Sequence, residues 1–420
     1  MKKHIVVSMM VLGFPWCSCG QDLRLGLDKS YKAKIENSLL HGIHHAGNVC
    51  LDGMGKARGD YEMISGRWYE YEPAWHTGQL IQGLLEAHQV TQNEDALNYA
   101  RKAGDWWISL RFPEEHPLAG YLNAVHGASV GDLINTTTIT DGTPGLFDLS
   151  EITGDSKYAE VATSAGQWIL DNLYLPEHRL SYNIVDPQTG EIWKDKSPHA
   201  QHQGHPITIK QVARPNAEGY LWKDVFHFMG GERYKTAFLE LCDGLLDTQS
   251  DNGFWMDFEP NDPNTGKIHA RFNTWNAEAL IEAYTLTKKE KYLLAALKTG
   301  EGLATIQQKN GVIFYLSYTN GSVDDRSPCG SGTSFAGILW LRLLEQGEAK
   351  FVPNIKKALD FTLKNQFSAG HSDGNLAGGY YEIRQKSTSN GQMKLIFRDI
   401  ATAFGLRFLS DIHQFEFQLK

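Results

Sequence analysis

The chain has 420 residues, 41% of them hydrophobic and 21% charged, with 41 glycines and 11 tryptophans, a composition that excludes intrinsic disorder. A formal charge of -9 without any basic run argues against nucleic acid as a partner, because neutralising phosphates requires clustered lysine and arginine. A neutral or sugar-like ligand fits this balance better.

The N-terminus, MKKHIVVSMMVLGFPWCSCGQD, places two lysines before an apolar stretch from Ile5 to Trp16 and then small residues around Cys17 to Gly20. This is the pattern of a secretory signal over residues 1–20, which leaves 21–420 as a single exported domain. Cys17 and Cys19 stand where a lipobox cysteine would, so the expected location is the periplasm or, through a lipid anchor, the outer membrane. The remaining Cys50, Cys242 and Cys329 are odd in number and lack metal-ligand spacing, so neither a disulfide framework nor a zinc site is expected. No later segment is apolar for long enough to cross a membrane. No cofactor or metal is expected, and the oligomeric state is left open.

Five segments share one helical pattern: ALNYARKAGDWWISL, KYAEVATSAGQWIL, RYKTAFLELCDGLL, KYLLAALKTGEGLA and KFVPNIKKALDFTL. Each has an aromatic or apolar entrance and a small or apolar residue in phase at Gly104, Gly166, Cys242, Gly300 or Leu359. Ahead of each lies a helix of another character, dense in small residues: HTGQLIQGLLEAHQV, DGTPGLFDLSEI, RPNAEGYLWKDVFHF, NTWNAEALIEAYTL and GSGTSFAGILWLRLL. Small residues let helices approach closely, so the second class predicts an inner ring and the first, with a single apolar stripe, an outer ring.

The N-terminal helix Lys29 to Ala46 and the C-terminal helix Arg398 to Ile412 each lack a partner and complete a sixth hairpin. Twelve helices in an all-α, (α/α)6 toroid follow, with an open superhelix of hairpins as the rival. The connections after the outer helices pass through turn residues into short aromatic or β-branched runs, which predicts short β-hairpin loops gathered at one rim. A cleft is expected there, at the N-terminal ends of the inner helices.

Those ends carry WYEYEPAWH, NTTTITD, QVARPNAE, RFNTWNAE, DDRSPC and Arg398 with Asp399. Asp141, Glu218 and Glu72 are the candidate catalytic carboxylates, since glycosidic cleavage uses one carboxyl as proton donor and one as base or nucleophile. Asp141 and Glu72 have a rival reading as helix caps. Glu218 and Glu278, one turn inside their helices, have a rival reading as ion pairs with Arg214 or Arg271. His76, Arg214, Arg271, Asn273, Trp275, Trp75 and Trp222 are the candidate substrate-binding residues: ring faces stack on pyranoses, and a guanidinium grips a carboxylate with two parallel hydrogen bonds, as a uronic acid requires. His202 and His205 in HAQHQGH read as loop histidines, and Asp324 with Asp325 as a turn.

The chain resembles the six-hairpin glycosidases, in particular the unsaturated glucuronyl hydrolases of glycoside hydrolase family 88, family 105, and the β-glucuronidase-like family 154. The stretch LINTTTITDGTPGLFDLSEITGDSKYAEVA is similar to the family 88 segment in which a catalytic Asp precedes an inner helix ending in a TGD..Y turn. Aligned on that turn, the family's Asp falls at Thr138, and Asp141 lies three residues closer to the helix. The resemblance therefore implies a hydrolase that removes a terminal glucuronic acid from an oligosaccharide or polysaccharide, ahead of one acting on unsaturated uronides. A sugar epimerase on the same toroid, a non-catalytic glycan-binding lipoprotein and a polysaccharide lyase remain as alternatives.

Overall fold

The computed structural model describes residues 23–127, 130–199, 204, 206–387 and 391–418. The expectations for residues 1–20, including Cys17 and Cys19, and for His202 and His205 lie outside the described residues.

The helices begin and end where local chemistry sets them. α1 (Lys29–His45) starts at Asp28, whose carboxylate accepts from the Ser30 and Tyr31 amides. α2 (Pro73–Thr91) has proline in its first turn and ends at Gln92 in a left-handed conformation. Asn93 caps α3 (Glu94–Ile108), and Asn135 caps α4 (Thr136–Gly142). α5 (Pro144–Thr153) ends at left-handed Gly154 and is followed by α6 (Lys157–Asn172). After the one-turn α7 (Ile209–Val212) and a 3-10 turn at Glu218–Tyr220 come α8 (Leu221–Met229) and α9 (Glu232–Thr248). α10 (Ala270–Thr287), α11 (Glu290–Ile306), α12 (Gly330–Glu345), α13 (Val352–Lys364) and α14 (Ile400–His413) complete the series.

The two rings form as the sequence predicts. α14 packs against α2, α2 against α4 and α5, α4 against the 218–220 turn, that turn against α10, α10 against α12, and α12 against α14. The ring is closed, which removes the open superhelix. α1 pairs with α14 across the ends of the chain, and α3, α6, α9, α11 and α13 lie outside. Small residues sit where inner helices touch: a Cβ at Gly78 would lie 2.5 Å from the Gly142 Cα, and one at Gly83 2.6 Å from the Ala403 carbonyl oxygen.

The residues in phase on the outer helices also find a purpose. Gly166 and Gly300 offer their carbonyls to indole N–H groups of the following inner helices, Trp222 at 3.0 Å and Trp340 at 2.9 Å. Cys242 faces the Ala279 carbonyl in the equivalent place. A missing or small side chain lets the next inner helix come close enough for that bond.

The rim is a set of small antiparallel sheets. One joins Asp60–Glu62 and Arg67–Tyr69 to Ile383–Ser387 and Met393–Arg398, so the first and last connections are hydrogen-bonded to each other. Others place Gly131–Asn135, Ala213–Arg214, Lys267–Ile268 and Val323–Pro328 directly before inner helices. Every such strand delivers the chain to the same end of the barrel.

Candidate active site

Asp141 does not cap α5, whose cap position is Thr143; it occupies the last turn of α4 and is buried. The segment NTTTITD, expected as the head of one inner helix, forms a helix of its own, started by Asn135, which accepts from the Thr137 amide. Glu218 does not lie one turn inside a helix but in the 3-10 turn before α8, also buried. That turn presses on α4: Gly219 has φ +70, and a Cβ there would overlap the Thr140 carbonyl oxygen and lie 3.0 Å from the Asp141 Cα. Asn216 and Tyr220 flank it with φ of 46 each, a run of left-handed residues that presents Glu218 to Asp141.

Two carboxyls brought together out of water cannot both ionise freely. Burial pushes the Asp141 carboxyl well above its ordinary range, the neighbouring Glu218 pushes it further, and Arg214 opposes both. Burial also raises Glu218, with Arg214 again acting against the shift. Both carboxyls are therefore held toward their protonated forms, and the pair shares the charge that its site can carry.

Polar atoms without partners concentrate here. Trp75 Nε1, His76 Nε2, Asp141 Oδ1, both Glu218 carboxyl oxygens and both amide atoms of Asn276 are buried and have no hydrogen-bond partner among the described residues. Buried polar groups are almost always satisfied, so such a cluster at one end of the inner ring marks a place built for a polar ligand and water.

His76 lies at the head of α2. Its Nδ1 is bonded to Asp399 Oδ1, and Asp399 Oδ2 accepts from the Gly59 amide at 2.7 Å. The Asp399 contact fixes the orientation of the ring and leaves Nε2 as its atom without a partner among the described residues. Trp75 meets His76 edge to face at 4.7 Å and Trp275 at 5.3 Å, so two of the three tryptophans expected in the site pack together beside His76.

Arg214 reaches the site from the strand Ala213–Arg214, with its guanidinium 4.8 Å from the Phe272 ring centroid and bonds to Thr137 Oγ1 and the Glu259 carbonyl. Arg271 is more heavily committed. Its guanidinium bonds Ser331 Oγ at 2.5 Å, Tyr315 Oη at 3.2 Å and Glu382 Oε1 at 3.3 Å, while lying 5.5 Å from the Trp75 ring. The ion-pair reading therefore holds for Arg271 but with Glu382, and Glu278 pairs instead with Arg407 at 3.0 Å. Glu72 heads α2 at φ 42 without a capping bond and turns to His126 Nε2, 3.3 Å away.

Two expected ligands serve the framework instead. Trp222 is fully buried against the outer ring through its bond to Gly166, because its position in α8 points outward from the axis. Asn273 accepts from the Trp255 amide at 3.0 Å and donates to Asn261 and the His269 carbonyl, which leaves it no free group.

His126, Asp60 and Glu382 were not among the candidates. Asp60 lies opposite Arg398 in the rim sheet and takes its guanidinium through two bonds of 2.6 and 2.8 Å. Burial raises the Asp60 carboxyl, but the Arg398 charge and hydrogen bonds prevail and hold it below its ordinary value. Only the pairing of the first and last connections brings these residues together. Asn276 follows Trp275 in the polar head of α10, a signal the sequence did contain.

No family model and no curated protein sequence matches the chain. Solved structures do. A cellobiose 2-epimerase from Bacillus thermoamylovorans aligns over 92% of this chain and 98% of its own, with a TM-score of 0.68 and 13% identity. An unsaturated glucuronyl hydrolase from Bacillus sp. GL1 aligns over 92% and 97%, with a TM-score of 0.65 and 12% identity. A D-mannose isomerase aligns over 91% and 98%, at 0.64 and 11%. The chain shares with them the (α/α)6 toroid.

Proposed function

We propose that the protein is an exported carbohydrate-active enzyme, a glycoside hydrolase that removes a terminal uronic acid from an oligosaccharide or polysaccharide. The observation that carries this reading is the adjacent, buried and hydrogen-bond-deficient pair Asp141 and Glu218. Asp141, whose carboxyl is raised by burial and by its neighbour Glu218, gives a proton to the glycosidic oxygen as the C–O bond breaks. Glu218, the carboxylate eased toward ionisation by Arg214, takes a proton from the water that attacks the anomeric carbon. Arg214 binds the uronate carboxylate, and Trp75 and Trp275 flank the sugar ring. The existence of glucuronyl hydrolases on this fold supports the substrate class, and the N-terminal sequence supports export.

Incubation with 4-nitrophenyl β-glucuronide and, separately, with lyase-generated unsaturated oligosaccharides tests the assignment. Release of 4-nitrophenol, lost in D141N, is the expected result; activity on the unsaturated oligosaccharides alone would reassign the substrate, and activity on neither overturns the hydrolase.

A second reading, epimerisation of a sugar, is favoured by one feature. The His76–Asp399 pair heads α2, and a second, half-buried imidazole, His269, caps α10. Its test is deuterium uptake at C2 of a reducing sugar in D2O, followed by NMR and abolished in H76Q.

A further inference from the structure

On the outside of the ring, where α1 meets α13, an open groove of about 740 Å³ lies far from the carboxylate pair in sequence but close to the rim. Lys34 of α1, Lys357 and Lys364 of α13 and Lys309 from the connection after α11 line it. Its floor is stitched by two bonds across the closing seam of the toroid: Tyr31 Oη donates to Asp360 Oδ1 at 2.7 Å, and Ser38 Oγ to Gln366 Oε1 at 2.7 Å. The groove arises because the first and last outer helices are held together by these side chains.

Its charge is out of keeping with the rest of the molecule. The chain carries a formal -9, yet four lysines line this groove beside a single carboxylate, Asp360, which accepts the Tyr31 hydroxyl. None of the four is in an ion pair among the described residues, and Lys34 lies 5.2 Å from the centroid of the Tyr31 ring. Such lysines cost little on a surface, but their placement along one trench concentrates positive potential where a negative chain would lie. Side-chain amides of Asn37, Asn310 and Asn365 line the same trench and suit hydroxyl groups.

The groove also adjoins the site. Phe361 and Asn365 on its wall line a narrow crevice with Tyr380, Tyr381 and Gly330, the first residue of α12. The next residues along those segments, Glu382 and Ser331, bond each other and Arg271 beside Trp75.

We propose that this groove is a second glycan site that binds an acidic polysaccharide chain and keeps its ends near the catalytic rim; the choice of a uronate polymer rests on the hydrolase reading above. An open trench with lysines on both walls suits an extended, repeating anion better than a single compact one. Several weak contacts along a chain raise the local concentration of its termini without demanding a tight site.

The test is affinity electrophoresis through gels containing polygalacturonate, neutral dextran or single-stranded DNA, for the wild type and K309E/K357E, beside hydrolysis of 4-nitrophenyl β-glucuronide. Polygalacturonate should retard the wild type at low salt and dextran should not. The double reversal should weaken polygalacturonate binding about tenfold, given the modest worth of each exposed charge contact, and added salt should remove it. The small glucuronide should be turned over equally by both proteins. Unretarded wild type, a variant retarded like wild type, or equal retardation by DNA overturns the groove. Retardation that depends on the lysines without any glucuronide hydrolysis supports the groove and tells against the hydrolase; hydrolysis without retardation does the reverse.

Discussion

The proximity of Asp141 and Glu218 has a thermodynamic signature that requires no substrate. In the unfolded chain these carboxyls titrate near their ordinary values of 3.8 and 4.5, and in the folded protein both are raised. Above the unfolded values the folded state therefore holds protons that the unfolded state has released. Stability contributed by the pair is complete below the unfolded values and is lost as pH rises toward the folded ones, at up to about 1.4 kcal/mol per pH unit for each retained proton. In D141N/E218Q nothing titrates at these positions, and the slope due to them vanishes. Urea unfolding followed by tryptophan fluorescence at pH 5, 6, 7 and 8 measures it as the difference between the two proteins. Other raised carboxyls, such as Glu86 at about 8 and Asp224 at about 7, are common to both and cancel. The variant should gain on the wild type as pH rises, by between about 1.4 and 2.8 kcal/mol per unit where one or two protons are retained. Parallel stability curves would mean that the two groups are solvated or far apart, and the assignment of a proton donor would fall with them.

Three further outcomes follow from the packing. G219A forces a side chain into a left-handed position against Thr140 and should cost roughly 1–2 kcal/mol in the backbone alone, and more from the overlap. By separating the two carboxyls by about an ångström it should also lower glucuronide turnover about 100-fold, read from thermal unfolding and initial rates together. R398M strands the buried Asp60 carboxylate and should destabilise by about 3–5 kcal/mol at neutral pH, with the deficit shrinking as pH falls and Asp60 protonates, because a depressed carboxyl contributes stability only above its folded value. W222A removes the bond to Gly166 and leaves a cavity worth about 3–5 kcal/mol, yet should leave KM for the glucuronide unchanged in the folded protein.

Much of this was legible along the chain. Helix class is a property of local composition: runs such as NTWNAEALIEAY announce close packing because glycine and alanine have little to keep helices apart, and the alternation of two classes fixes a double ring. Carboxylates and indoles at the helix heads were legible for the same reason, since they break an otherwise apolar pattern. What a residue does with its side chain was not. Trp222 and Trp275 look alike in sequence, but one points outward to Gly166 and the other inward to Trp75, a difference of helix rotation that neighbours decide. Arg271 carried no mark of its attachment to Glu382, more than a hundred positions away, nor Asp60 of its grip on Arg398, because ring closure alone brings those segments together. The sequence by itself determined the alternation of helix classes and the polar heads of the inner helices; only the tertiary structure decided which of those side chains meet and which remain without partners, because a hydrogen bond depends on distances in space that no local pattern encodes.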